Sequence, residues 1–177
     1  MTIHTFQDSL AKSHEQESAP WWREIYEAAF PNFASMVSVR QDGWAQRGGI
    51  DRVVTLKSGR VVTIDEKVRS ESYADILLER WSDNNRKTPG WAQKDLACDY
   101  IAYAFIPDRR CYLLPFLSLR AAWLKHGRDW IEAAQNKRDG FSVIYSKNPG
   151  YTTENIAVPI SILMTALQAA QIVEWRA

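Results

Sequence analysis

The stretch Gly48-Gly49-Ile50-Asp51-Arg52-Val53-Val54-Thr55-Leu56-Lys57-Ser58-Gly59-Arg60-Val61-Val62-Thr63-Ile64-Asp65-Glu66-Lys67-Val68-Arg69 decides the fold. Two runs rich in β-branched residues flank Lys57-Ser58-Gly59-Arg60, and together they read as a β-hairpin. A three-residue loop, Lys57-Ser58-Gly59, with Gly59 left-handed at its end, is a favoured connection. It pairs Leu56 with Arg60 and sets Asp51 opposite Asp65. Asp51, Val53, Thr55, Val61, Thr63, Asp65 and Lys67 then share one face. Ile50, Arg52, Val54, Leu56, Val62, Ile64, Glu66 and Val68 share the other, which is apolar enough to be a core. A two-residue Ser58-Gly59 turn would shift the pairing by one and bring Glu66 opposite Asp51. The first register is preferred because it gathers the apolar residues and keeps Lys67 with both aspartates.

Carboxylates at the open end of a hairpin, with a lysine two residues past the second, can hold a hard divalent cation beside a phosphate. An Asp opening one strand, followed by (D/E)-x-K on the next, resembles the PD-(D/E)XK nuclease superfamily; the matching residues are Asp51 and Asp65-Glu66-Lys67. The resemblance covers residues from about 18 to 126 and leaves about 127–177 as C-terminal decoration of a single domain. It implies an α/β (α+β) fold with a restriction-endonuclease-like core, a mixed central sheet flanked by helices. It also implies Mg²⁺ or Mn²⁺ held by Asp51, Asp65 and the Glu66 backbone carbonyl, with Glu24 or Glu27 of a first helix as further candidates. Lys67 would orient water or neutralise a phosphate. Arg47, Arg52, Arg69, Arg80 and Arg86 are candidates for DNA backbone contacts, followed by Gln93, Lys94 and Tyr100.

Two positions depart from the motif. Ile50 stands where the superfamily's name has Pro, and Glu66 fills a place that is usually apolar because it faces the core. A core-facing carboxylate needs a partner, and Arg52, its near neighbour on the same face, is the expected one.

Working outward, Ser18-Ala-Pro20 opens a helix whose Trp22, Ile25, Tyr26, Ala29 and Phe30 make one buried stripe. Residues up to Glu17 read as a short helix or a loose arm. A strand is expected over Phe33 to Arg40, then a loop to Gly49. Past the hairpin, Tyr73, Ile76, Leu77 and Arg80 fall at helical offsets, capped from Ser70-Glu71-Ser72. Trp91 to Ala97 reads as a further helical stretch. Tyr100 to Ile106 and Cys111 to Phe116 form a second hairpin. Two helices follow, one capped by Ser118 and closed by Gly127, the other from Asp129 to Lys137. Phe141 to Tyr145 and Glu154 to Val158 are extended, and Pro159 opens a closing helix. The resulting order agrees with the one the superfamily core requires: helix, three strands, helix, strand, helix.

With a net charge of +1, no bulk electrostatic attraction for nucleic acid exists, so binding would need a local basic patch. The two cysteines, Cys98 and Cys111, fit no metal spacing and read as buried free thiols in a reducing cytoplasm. No stretch has transmembrane length. Trp44 and Trp91, read as loop residues among Gly, Pro and Asp, are the tryptophans for which base stacking stays an open role. The leading expectation is a cytoplasmic, metal-dependent nuclease hydrolysing DNA phosphodiester bonds, of a phage, restriction or recombination kind by analogy. The alternative is a non-catalytic nucleic-acid- or protein-binding module on the same fold. A third reading is an unrelated α+β protein whose hairpin acids merely pair with neighbouring cations.

Overall fold

The computed structural model describes residues 19–167 and 170–176. The expected arm before Glu17 and the Ser18 cap lie outside the described residues. The chain runs through α1 (Trp21–Ala29), β1 (Phe33–Ser38), α2 (Gly43–Arg47), β2 (Arg52–Leu56), β3 (Val61–Arg69), β4 (Asp75–Asp83) and β5 (Thr88–Pro89). It continues through β6 (Tyr100–Phe105), β7 (Arg110–Pro115), α3 (Phe116–Gln135), β8 (Ser142–Asn148), β9 (Tyr151–Pro159), α4 (Ile160–Ala166) and β10 (Gln171–Glu174). This is a mixed α+β chain. One sheet has the order β1-β2-β3-β6-β7-β10, and a second has the order β5-β4-β9-β8. The first sheet is mixed, because β3 and β6 run parallel while its other neighbours are antiparallel.

The β2–β3 hairpin has the register that the Lys57-Ser58-Gly59 loop implies, with Arg52 against Ile64 and Thr55 against Val61. The Leu56 amide donates to the Arg60 carbonyl at 2.8 Å, and Gly59 sits at φ +82°, which a side chain would resist. Alternation then sends Val54, Val62 and Ile64 into a core under α1, against Trp22, Ile25 and Tyr26. The opposite face of the first sheet, through Ile101, Tyr103 and Phe105, packs on Ile76, Leu78, Ile156 and Val158 of the second sheet and on α3. Strand β6 is therefore covered on both sides, as a strand in parallel pairing normally is.

Several expected elements differ. The segment read as a helix over Tyr73–Trp81 is strand β4, paired antiparallel with β9. Its burial alternates, with Ile76 and Leu78 fully buried, and Leu77 between them produced the misleading helical offsets. Ser70-Glu71-Ser72 is consequently a bend and not a cap. Trp91 to Ala97 is one turn over 91–93 followed by irregular chain, tied to β4 by the Gly90 amide on the Arg80 carbonyl and the Ala92 amide on the Glu79 carbonyl. The helix required between the third and fourth core strands is thus replaced by β4, β5 and this loop. The two helices expected either side of Gly127 are one, because Gly127 lets the Trp123 ring pack to within 3.2 Å of where a Cβ would stand. Leu124 on this helix is exposed, while Leu119, Ala122 and Trp123 are buried. The 127–177 region supplies β8 and β9 to the second sheet and β10 to the first. Strand β10 was not anticipated; beyond it, Trp175 stacks on Trp21 at 4.8 Å. Among the described residues no helix is long and apolar enough to cross a membrane.

Gly90 holds β4 and the 90–97 loop in contact, since a Cβ there would lie 2.3 Å from the Glu79 carbonyl oxygen. Gly90→Ala is expected to cost about 2 kcal/mol or more in urea denaturation. Gly43→Ala, which would meet nothing within 4 Å, should be neutral or slightly stabilising.

Candidate functional site

Strand β3 is longer than β2, so its last residues lose their β2 neighbour while keeping β6. Asp51 stands at this step. Its amide donates to the Ile64 carbonyl at 2.9 Å, and its carbonyl accepts from the Val39 amide at 2.9 Å. The Asp51 Oδ2 accepts the Glu66 amide at 2.8 Å. A strand residue turns its N–H and C=O to the same edge, so the Glu66 carbonyl also opens on the edge that β2 has left. Lys67 Nζ reaches Asp65 Oδ1 at 2.5 Å. Asp51, Asp65, Lys67 and the Glu66 backbone are thereby brought together, as the motif reading expects.

Burial is the main influence on Asp65, and it raises the carboxyl to about 6. Lys67 opposes the rise, while the Asp51 carboxylate adds to it by charge and by hydrogen bonding. For Lys67, burial alone would lower the ammonium, but Asp65, with smaller help from Asp51 and Glu79, raises it instead. The two outcomes are consistent because the Lys67 side chain is 31% exposed and that of Asp65 only 5%. The lysine stays charged and the aspartate becomes a weak acid.

Glu66 points the other way, into the core, as the register requires. Arg52 grips it with Nε to Oε1 at 2.9 Å and Nη2 to Oε2 at 3.2 Å. The Tyr26 hydroxyl donates to Oε1 at 2.8 Å, and Arg40 Nη2 donates to Oε2 at 3.0 Å. Burial first, then the Glu66 charge, holds the Tyr26 phenol well above its usual range, so it remains a donor. Arg40 Nη2 also lies 3.2 Å from Asp51 Oδ2 and links the buried carboxylate to the exposed one. Tyr26 and Arg40 were not anticipated. Both are distant in sequence from Glu66, and Tyr26 looked like one more core position on its helix.

The site opens into a cleft of about 570 Å³ whose lining includes Arg40, Arg47, Glu79, Trp91, Lys94 and Leu96. Arg47 and Lys94 are thus where a phosphate backbone could meet them. The other basic candidates are elsewhere. Arg52 is 5% exposed beneath the site and cannot reach a ligand. Arg69 donates to the Tyr103 hydroxyl at 3.1 Å and lies over the Tyr73 ring. Arg80 pairs with Glu154 at 2.9 Å and, with Gln93, lines a separate groove. Arg86 is exposed on the β4–β5 turn, and Tyr100 packs edge-on against Phe30. Glu24 and Glu27 are occupied elsewhere: Glu24 accepts the Arg176 amide, and Glu27 pairs with Arg23. Helix α1 therefore reaches this network through Tyr26. Trp91 lies under Lys67, 6.0 Å from Nζ to ring centroid. Cys98 and Cys111 are free and buried; burial, with the Asp65 charge behind it, pushes the Cys98 thiol to about 12.

Among the described residues no group of three or more His, Cys, Asp or Glu side chains converges. At the hairpin's open end the protein oxygens on offer are the Asp51 and Asp65 carboxylates and the Glu66 carbonyl, with the Glu79 carboxylate on the cleft wall. That set fits Mg²⁺, which typically takes one or two carboxylates and keeps several waters. No protein-family model matches the chain, and no curated protein or solved structure matches it either.

Glu66→Gln is expected to leave Mn²⁺ affinity nearly unchanged, since only the carbonyl of Glu66 faces the cleft. In a thermal or urea melt it should cost about 3 kcal/mol, because Arg52 would lose its partner charge while buried. Asp65→Asn should do the reverse, weakening Mn²⁺ while largely sparing stability.

The raised Asp65 carboxyl gives a second expectation. Between about pH 4 and 6 the folded protein holds a proton here that the unfolded chain has lost, so the stability due to this group falls as pH rises through that window. If Asp65 is a metal ligand, a cation would have to displace the same proton, and Mn²⁺ affinity would fall as pH drops through about 6. Calorimetry in buffers of different ionisation enthalpy would read proton release near pH 5.5, and Asp65→Asn should abolish it.

Proposed function

We propose that the chain is a metal-dependent nuclease that hydrolyses DNA phosphodiester bonds on a restriction-endonuclease-like core. The observation that carries this reading is the convergence of Asp51, Asp65, Lys67 and the Glu66 edge in one cleft, beside Arg40, Arg47 and Lys94. The order α1, β1, β2, β3 supports the core assignment; the helix-free passage from β3 to β6 is its departure. Asp51, Asp65 and the Glu66 carbonyl would hold Mg²⁺ or Mn²⁺, which supplies water activation and neutralisation of charge building on the phosphate. The chain's own residues do the rest. Lys67, held charged beside Asp65, presents an ammonium to a water or to a phosphate oxygen. Arg47 and Lys94 fix the strand's backbone across the cleft. Glu66, clamped from below, keeps β3 straight so that its neighbours face the cleft together.

A specific observation favours the alternative of a binding module without catalysis. Each cleft aspartate already has a cation against it, Asp51 with Arg40 and Asp65 with Lys67. In that reading the acids set the positions of basic side chains that grip a nucleic-acid or protein ligand.

The two readings diverge on incubation with Mg²⁺ or Mn²⁺. The nuclease reading expects cleavage of at least one of linear, nicked, branched or single-stranded DNA. Lys67→Ala should keep the cation yet lose about 10²- to 10⁴-fold in rate. Asp51→Asn should lose both. A panel left intact with either metal, by a protein that still binds those DNAs, would establish the binding module instead.

A further inference from the structure

Helix α2 is a five-residue turn that follows β1 and borders the cleft. Asp42 caps it, its Oδ1 accepting the Trp44 amide at 2.8 Å and the Ala45 amide at 3.0 Å. At its other end the Gly48 carbonyl accepts the Ala97 amide at 2.7 Å. Gly49, at φ +67°, runs so close to Leu96 that a Cβ would lie 2.8 Å from its side chain. The turn is therefore pinned at both ends.

On this fixed turn Trp44 is 80% exposed, the most exposed tryptophan among the large apolar residues that reach solvent. The Arg47 guanidinium lies over its ring at 4.4 Å from the centroid, and Arg47 also lines the cleft that holds Asp51, Asp65 and Lys67. One face of the indole carries a cation that continues into the cleft, and most of the ring meets water. An indole left in water adds nothing to the core, and covering its open face would gain apolar burial. The charge beside it selects the class of that partner: a polyanion with flat, apolar rings. A base inside a duplex is already stacked on its neighbours, so a base free to lie on the indole comes from an unpaired strand.

We propose that Trp44 and Arg47 form a stacking platform for an unpaired nucleobase at the rim of the cleft, which makes single-stranded nucleic acid the substrate class. This rests on the nucleic-acid reading of the cleft and narrows it. Arg47 has two jobs here: it orients the indole and contacts the phosphate of the stacked nucleotide. Lys94, also in the cleft lining, is placed to take a further phosphate.

Fluorescence anisotropy on the full chain in EDTA, which keeps the strands intact, tests the proposal. The probes are a labelled single strand of about 12 nucleotides, the same strand with abasic sites, and a blunt duplex. The wild-type chain should prefer the base-bearing single strand. Trp44→Ala should weaken that complex on the order of ten-fold, leave the abasic strand and duplex unaffected, and melt as the wild type does. Trp44→Phe, which keeps an aromatic face, should restore most of the affinity. Equal single-strand affinity for wild type and Trp44→Ala overturns the platform, while Asp51-dependent cleavage would leave the nuclease reading standing. Failure of the wild type to bind any of the probes overturns the nucleic-acid reading and the platform with it. If sedimentation shows that Trp44→Ala dissociates an oligomer without changing strand affinity, the indole belongs to a contact between copies, and the platform is likewise overturned.

Discussion

Burying the Glu66 carboxylate beneath the first sheet obliges four parts of the chain to meet at one point. A carboxylate taken out of water needs donors for its oxygens, and leaving it unpaired would cost several kcal/mol. Arg52 comes from β2, Tyr26 from α1 and Arg40 from just beyond β1, each within hydrogen-bonding distance of Glu66. Helix α1 could pack its apolar stripe on the sheet in several rotations; the phenol hydroxyl bonding to Glu66 selects one. The hairpin could slip by a residue; the two-pronged contact between Arg52 and Glu66 resists it, because a slip would turn one of the pair to the other face. In this arrangement the ion pair supplies specificity more than stability. An apolar pair of similar volume could pack as well but would not fix the same register.

The period of the strand carries that constraint to the cleft. With Glu66 directed under α1, Asp65 and Lys67 on either side of it must take the opposite face, where they line the cleft, and its amide is left for Asp51. The cleft's charges are close to balanced: Arg40, Arg47, Lys67 and Lys94 line it together with Asp51, Asp65, Glu66 and Glu79. Arg52 takes up Glu66 from below, Arg40 bridges Glu66 and Asp51, and Lys67 pairs with Asp65, so Arg47 and Lys94 are the basic side chains of the lining that stand apart from these pairs. Any attraction for a phosphate backbone would rest on those two side chains and not on net charge.

Legibility in the sequence followed the range of the interactions. The hairpin register was legible because it depends on a glycine at the turn and on alternation within twenty residues. The Arg52–Glu66 pair was legible for the same reason, both lying on one face of that hairpin. Tyr26 and Arg40 were not, since a tyrosine on an apolar helix stripe carries no mark of a carboxylate forty residues on. Strand β4 was misread because local spacing competes with pairing: Ile76, Leu77 and Leu78 in succession satisfy a helix as well as a strand, and β9, some eighty residues later, decides between them. The single helix α3 was divided at Gly127 because glycine costs about 1 kcal/mol in a helix interior. The Trp123 ring packed against that glycine offsets the cost, and no neighbouring residue announces it.

The same difference in range separates the floor of the site from its walls. Asp51, Asp65, Glu66 and Lys67 form a floor whose facing is set by one hairpin, while β6, paired alongside 65–67, holds its outer half. The walls come from elsewhere: α2 on one side, and on the other the 90–97 loop with Glu79, held to β4 through the close approach at Gly90. The two walls are joined to each other by the Gly48–Ala97 hydrogen bond and by the contact of Gly49 with Leu96. A change in α2 is therefore passed to the 90–97 loop, and through the Ile50 amide on the Ala45 carbonyl it also reaches Asp51. Walls and floor are mechanically coupled: Arg40, between β1 and α2, holds both Asp51 and Glu66, and its carbonyl accepts from the Gln46 side chain of α2, so contacts between distant segments set both the width of the cleft and the places of its acids.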